Sequence, residues 1–454
     1  MSRIRAIGVA IWTHLLIIGF GIIAIFRLIG IALASLIGFS GSIGSRLAGR
    51  LTSSDGLRVS FDFARAFLPN LVLARKFVAA YDNNGSAIVT RFEDVKDVLR
   101  RDADFEVVYG PRMRQITGGA NFFLGMQDTP EYTRDVSNMR LAVRRDDVPK
   151  VVQPFAAQRA AELVAATKGR IDVPQALTLR VPTQLLGVYF GTPGPSEPEM
   201  IAWTTLMFWY LFADLGADKD LDSRALGYAE QCRNYLDSVI QQRKANPTET
   251  DDVLNRCLAM QRAGLPGMDD LGIRNNLIGL IIGAVPTISK ASVQALDQLL
   301  RRPDALAAAQ NAARANDDAL LAAHIFEALR FNPINPVIYR RATRDATIAA
   351  NTLRAITVPK GSMVFAANLS AMFDRLKLVA PNQFRVDRPW DDYILWGDGM
   401  HTCFGAHINH AIIPAMLKPL LVQQGLRRIA GDVGQIDTEG TPFPVHLWLE
   451  FRPA

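Results

Sequence analysis

The chain has 454 residues, 49% hydrophobic and 21% charged, the balance of a protein that folds around a core and not of a disordered one. Its formal charge of +6 is mild for that length, and no basic cluster with interleaved aromatics speaks for nucleic acid. Three scattered cysteines, Cys232, Cys257 and Cys403, exclude a disulfide framework and fit a reducing compartment.

The first element is apolar. Ala6 to Phe26 run 21 residues, interrupted only by Thr13 and His14. As a helix they reach about 30 Å, the thickness of a bilayer's hydrocarbon core. Arg3 and Arg5 before the run and Arg27 after it give a weak orientation signal, with the globular part on the cytoplasmic side. Ala32-Leu33-Ala34 resembles a signal cleavage site, but the run is too long for a cleavable signal and reads as an uncleaved anchor. A second apolar stretch, Leu28 to Gly44, fits a second span, an interfacial helix or a buried one. Residues 1–50 are thus set apart as membrane anchor and linker, and 51–454 as one large domain.

Residues 45–80 are mixed and basic, a transition into the globule. Ala87-Ile88-Val89-Thr90 predicts a short strand, Phe92 to Arg101 an amphipathic helix, residues 110–130 a long loop, and Glu131 to Arg145 a helix. From 151 to 330 helical periodicity dominates, broken at Thr192-Pro193-Gly194-Pro195 and Asn246-Pro247. Asn275 to Arg302 predicts one long helix, whose first half is apolar on all sides and so deeply buried. Short strands and turns follow from Ala346 to Asn368, then a final helix from about Phe404 to Gln424 and a closing strand at 443–451. The fold class is mainly α with a smaller β part, of the α+β kind.

The chemistry concentrates in WGDGMHTCFGAH, residues 396–407. Cys403, His407 and His410 stand at i, i+4 and i+7, one helical face, where three ligands and a water make a catalytic zinc site. Haem accounts for more of the residues. A cysteine at the start of a buried helix meets unpaired N–H groups and the positive dipole end, both favouring thiolate. Glycines before it allow a tight loop around the sulfur, and Gly405 lets a porphyrin approach.

Trp396-x-x-Gly399-x-His401-x-Cys403-x-Gly405 resembles the cysteine-ligand loop of the cytochrome P450 family, with Trp396 where that loop usually has Phe. Glu327-Ala328-Leu329-Arg330 resembles the family's E-x-x-R pair, and Phe384 to Arg388 the segment that supplies its third member, Arg388. Arg340 matches the arginine that meets a haem propionate. The resemblance spans roughly residues 80–454 and implies a cytochrome P450-like fold behind the N-terminal anchor. It also implies haem b with Cys403 as axial ligand, His401 near a propionate, and a buried network of Glu327, Arg330 and Arg388.

Two departures stand out. Gly283-Ala284-Val285-Pro286-Thr287 occupies the place of the family's oxygen-activation signature, but Pro286 replaces the acid that generally precedes Thr287. Proline withholds an N–H from the Ile282 carbonyl and predicts a kink. It also removes a carboxylate from proton delivery. After Asp128-Thr129-Pro130-Glu131 the family's His and Arg become Tyr132 and Val136, leaving Arg134 as the nearest cation for a propionate.

The resemblance implies a monooxygenase of a lipophilic small molecule, using O2 and electrons from a ferredoxin or reductase. Pro286 keeps three alternatives open: a peroxide-driven peroxygenase, a hydroperoxide-rearranging enzyme, and a haem sensor without turnover. Residues 111–123 and the aromatic cluster Trp203, Met207, Phe208, Trp209, Tyr210 and Phe212 match segments that often lie over the family's pocket.

Overall fold

A computed structural model describes residues 3–37, 42–120 and 122–452. Residues 38–41, inside the second apolar stretch, and Asn121, inside the loop matched to the pocket, lie outside the described residues. The chain divides into two compact units. One comprises Met1–Phe77, Asp82–Glu106 and Arg330–Thr402; the other comprises Val78–Tyr81, Val107–Leu329 and Cys403–Ala454.

In the first unit the N-terminal helix runs Arg3–Leu36, so it carries straight on into the second apolar stretch. It packs on a helix at Ser54–Phe67, so closely at Gly21 that a Cβ there would collide with Ala66. Ile17 and Ala24 are buried, whereas Trp12, Leu15, Ile22, Phe26, Ile29, Leu33 and Leu36 are exposed. Residues 45–80 are more ordered than a transition. Ser42 caps a helix at Ile43–Thr52 and Ser53 caps the next, each accepting the N–H three residues on at 3.1 Å.

The unit's sheet has five strands in the order Asn70–Leu73, Ser86–Val89, Met363–Ala366, Ile338–Ala342, Phe105–Glu106. Ser86–Val89 pairs parallel to Met363–Ala366 and antiparallel to Asn70–Leu73. Its apolar side chains, among them Val89, Val364 and Ala366, join Val95, Val98 and Leu99 of the Phe92–Arg100 helix in one core. The hairpin Ala346–Ile348 with Ile356–Val358 completes the unit's β part.

The second unit is mostly helical. Its long helix is Asp270–Leu300, starting earlier than the apolar pattern because Asp269 accepts the Gly272 N–H at 2.7 Å as N-cap. Pro286 lies inside this helix, which continues on both sides of it. The expected loop at 110–130 contains a helix, Gly110–Thr117. Pro111 sits where a helix begins without needing its N–H, and Gly118, at φ +79°, closes the far end. The helix after the cysteine is Ala406–Leu421. A three-stranded sheet, Arg170–Asp172, Trp448–Arg452 and Gln424–Arg428, ends the unit.

Candidate active site

Within the second unit, Cys403 is half-buried just ahead of the Ala406–Leu421 helix. Burial pushes its thiol up from the ordinary value, and the Gly405 N–H pulls it down by a smaller amount. In the protein alone desolvation therefore outweighs the helix end; a metal at the sulfur reverses that balance, since a coordinated thiol gives up its proton. Phe404 beside it is flanked by the Phe123 ring, centroids 5.1 Å apart, and by the Arg140 guanidinium at 5.3 Å.

The zinc set does not assemble. Among the described residues no three of His, Cys, Asp and Glu converge as metal ligands. His410 lies against the Phe326 ring at 4.6 Å, and burial together with Arg145 and Arg140 pushes His407 down. Cys232 and Cys257 are buried, which pushes both thiols up to about 12 and leaves them inert near neutral pH.

Haem fits the residues better. A Cβ on Gly405 would meet nothing nearer than Asn409 Nδ2 at 3.9 Å and Cys403 Sγ at 4.0 Å. A Cβ on Gly283 would meet nothing within 4 Å. The protein's own atoms thus do not require glycine at either place, whereas a large flat group beside them would. In the middle of the Asp270–Leu300 helix, the partly open residues Leu280, Gly283, Ala284 and Thr287 form one stripe among buried neighbours. The Thr287 hydroxyl is held by the carbonyl of Gly283, with Ala284's at 3.4 Å. Pro286 is buried off that stripe.

In the first unit the loop from Tyr393 to Thr402 is irregular and holds Trp396, Gly399 and His401. Asp398 ties it to the Phe92–Arg100 helix, taking Arg100 Nε at 2.9 Å and Lys96 Nζ at 3.5 Å. Gly399 is obligatory there on the protein's own account: its φ is +76°, and a Cβ would collide with the Leu99 carbonyl. His401 is pushed down to about 3, by burial first and by the Arg340 guanidinium second. Arg340 is buried, its Nη1 donating to the Tyr339 carbonyl at 2.9 Å. A guanidinium close enough to repel a protonated imidazole makes an anion site, the kind a propionate requires.

Arg330 and Arg388 meet on one backbone segment. Arg330 is fully buried and donates to the carbonyls of Met372 at 2.9 Å, Pro381 at 2.8 Å and Gln383 at 3.3 Å. Arg388 donates to Val379 and Ala380 at 2.9 Å each and to the same Gln383 carbonyl at 3.1 Å. Glu327, one turn before Arg330 on the Asp318–Phe331 helix, is also fully buried.

Arg134 is engaged elsewhere in the second unit. Its Nε donates to Asp135 at 2.8 Å, and its guanidinium lies over Gly267, where a Cβ would collide with it. The cation of the Pro130–Ala142 helix that reaches the cysteine stretch is Arg140, which sequence reasoning missed. Its signal was available: Arg140 continues the four-residue spacing of Tyr132 and Val136.

The comparisons follow this geometry. The Cytochrome P450 family model matches residues 83–422. The Cyclomarin C epoxidase CymV of Salinispora arenicola is 25% identical over 304 residues, which is 66% of this chain and 73% of its own length. The Steroid C26-monooxygenase of Mycolicibacterium smegmatis is 25% identical over 359 residues, 77% of this chain and 83% of its own. Among solved structures, P450BioI in complex with an acyl carrier protein superposes with a TM-score of 0.74. That likeness covers 88% of this chain and 99% of P450BioI at 18% identity, and it speaks for the fold alone. A family model that takes in the sheet, the long helix and the cysteine loop together leaves one conclusion: the chain belongs to the cytochrome P450 family, and is a haem-thiolate oxidoreductase.

Proposed function

We propose that the protein is a monooxygenase of a lipophilic small molecule, fed electrons by a ferredoxin or reductase, with Cys403 as the axial ligand of haem b. One observation carries the reading. Cys403 stands at the head of a buried helix with free room beside its sulfur at Gly405, and the same unit presents the partly open Gly283-Ala284-Thr287 stripe. When bound, the haem supplies the redox chemistry that activates dioxygen.

The chain's own residues do the rest. Cys403 would hold the iron, and Arg340 with His401 offers the kind of anion site that a propionate would take. Trp396 and Gly399 shape the loop, and Arg330 and Arg388, with Glu327 one turn before Arg330, fix the backbone of residues 372–383. Gly283 and Ala284 leave room on the distal side. The Thr287 hydroxyl positions a proton there; water replaces the carboxylate that Pro286 removes.

Lipophilic substrates are supported by the aromatic cluster around Phe208 and by relatives whose names include a steroid monooxygenase. An acidic electron carrier is supported by exposed Arg140, Arg144 and Arg145, the first of which lies over the Phe404 ring. The apolar exposed row from Trp12 to Leu36 supports membrane attachment through residues 1–50, with 51–454 as a haem domain on the cytoplasmic side.

Reduced protein under carbon monoxide should show the red-shifted Soret band of thiolate-ligated haem, and Cys403→His should abolish it. A normal band in the variant would refute the assignment of Cys403. Turnover that needs NADPH and a reductase, with none on hydrogen peroxide, supports the monooxygenase; the reverse establishes the peroxygenase to which Pro286 points.

A further inference from the structure

The open stripe of the Asp270–Leu300 helix does not stop at Thr287. Lys290 lies two turns beyond Gly283 and Gln294 one turn beyond Lys290, both partly open on the same side. A lysine and a glutamine are foreign to a helix whose other faces are buried and mostly apolar.

Among the described residues neither has a polar partner to explain it. Lys290 makes no hydrogen bond or ion pair among the described residues, and its Nζ sits 5.7 Å from the centroid of the Phe443 ring. Burial pushes its amine down to about 8, so it remains mainly protonated at neutral pH. Gln294 Oε1 is buried without a hydrogen bond. An uncompensated cation in a low-dielectric place is costly and is relieved by an anion; the Gln294 amide, turned so that its Nε2 and not its accepting Oε1 faces that place, adds a second donor. The group that fits accepts two hydrogen bonds and carries a negative charge.

The surroundings describe the rest of the ligand. From Phe443 a line of rings runs to Phe208 at 5.9 Å, on to Phe212 at 4.6 Å, to Tyr109 at 4.7 Å and to Tyr81 at 5.9 Å. All belong to the second unit, as do Lys290 and Gln294. The line is aromatic along its length, with the unpaired Lys290 at its Phe443 end and Arg112, already paired with Asp214, 5.4 Å from the Tyr81 ring at the other.

We propose that Lys290 and Gln294 form a carboxylate-binding site, and that the substrate is an amphiphilic monocarboxylic acid of the fatty-acid class whose chain lies along these rings. The proposal rests on the haem-thiolate reading for its use in catalysis, but the site itself is testable by binding alone.

The test uses purified holoenzyme titrated with dodecanoate and with methyl dodecanoate, a neutral probe of the same chain. Calorimetry gives the affinity, and the substrate-induced Soret shift gives a second readout. Removing one partner of a buried charge pair costs at least about 2 kcal/mol, so Lys290→Met should weaken dodecanoate roughly 30-fold. The methyl ester should bind both proteins alike. Lys290→Arg should restore most of the acid's affinity, and Gln294→Leu should weaken the acid about five-fold, the worth of one hydrogen bond near 1 kcal/mol.

Equal weakening of acid and ester in Lys290→Met would overturn the proposal by making Lys290 a packing residue. No binding of dodecanoate to wild type, or unchanged binding in Lys290→Met and Gln294→Leu, would overturn it too. Loss of the thiolate-type carbon monoxide band sinks the functional reading separately, because acid-over-ester discrimination by calorimetry is scored on the same preparation.

Discussion

Replacing Arg330 by methionine keeps length and apolar volume and removes the guanidinium. In the structure that guanidinium closes three backbone carbonyls, two of them at 2.8–2.9 Å, and is sandwiched 4.5 Å from the Phe331 and Phe373 ring centroids. A hydrogen bond from a charged donor contributes about 1.5–3 kcal/mol, and the two short ones at the lower end give about 3 kcal/mol. The long bond to Gln383 and the lost ring stacking, offset by methionine's own packing, leave the total near 3–4 kcal/mol. With a urea dependence of about 3 kcal/mol per molar for a chain of this size, the unfolding midpoint should fall by roughly 1 M. Trp390 and Trp396, in the same unit, make fluorescence the direct assay. Arg388→Met, whose guanidinium is only half-buried, should fall by about a third as much. A shift in Arg330→Met no larger than in Arg388→Met would refute the view that the buried guanidinium holds residues 372–383 in place.

Three further outcomes are expected. His446 is raised above its ordinary value, by its hydrogen bond to Asp172 first and by Glu439 second. A raised folded-state pKa gives stability that is fully present below about 6.5, the unfolded value, and is lost as pH climbs through the folded one. The gap in thermal midpoint between wild type and His446→Gln should therefore be wider at pH 6 than at pH 9, and an equal gap would refute the ion pair. Arg140→Glu should slow reduction by an acidic ferredoxin about ten-fold at low salt, on the steering scale of charged interfaces, and leave dithionite reduction unchanged. Thr287→Val removes the hydroxyl held by Gly283; substrate oxidation should fall about ten-fold or more, the lower end for a proton-transfer group, while Thr287→Ser keeps most of it. Product yield per NADPH is the readout, and equal yields in the two variants would exclude Thr287 from proton handling.

Much of this was legible in the chain because it is written in spacing. The Glu327-x-x-Arg330 pair, the Phe384–Arg388 segment and the cysteine loop could be read as a resemblance to family motifs, each a few residue types at fixed intervals. The Ser86–Val89 strand and Phe92–Arg100 helix followed from alternation and helical period. What escaped had no period to read. Gly110–Thr117 hides in a stretch of glycine and proline, since proline ends helices only when it is inside them and starts them when it is first. Gln424–Arg428 is polar and begins Gln-Gly, so it forms a strand through pairing with Trp448–Arg452 and not through its own preference. On the Asp270–Leu300 helix the apolar residues occur on every side, so no hydrophobic pattern could tell the open stripe from the buried faces. The place of Arg140 beside Phe404 depends on tertiary packing alone.

Arg112 carries a consequence for how ligands come and go. From the Gly110–Thr117 helix it pairs with Asp214 at 2.8 Å, donates to the Asp214 carbonyl at 3.2 Å, and lies 4.2 Å from the Tyr210 ring centroid. Arg112 and Asp214 are both buried. The Gly110–Thr117 helix and residues 210–214 are thus buttoned together, and a motion that parts them must expose an ion pair and a ring in one act. Because counterions screen buried charges poorly, the barrier to that motion should hardly respond to added salt. A slow, salt-blind release of bound ligand would be the kinetic signature of this single arginine.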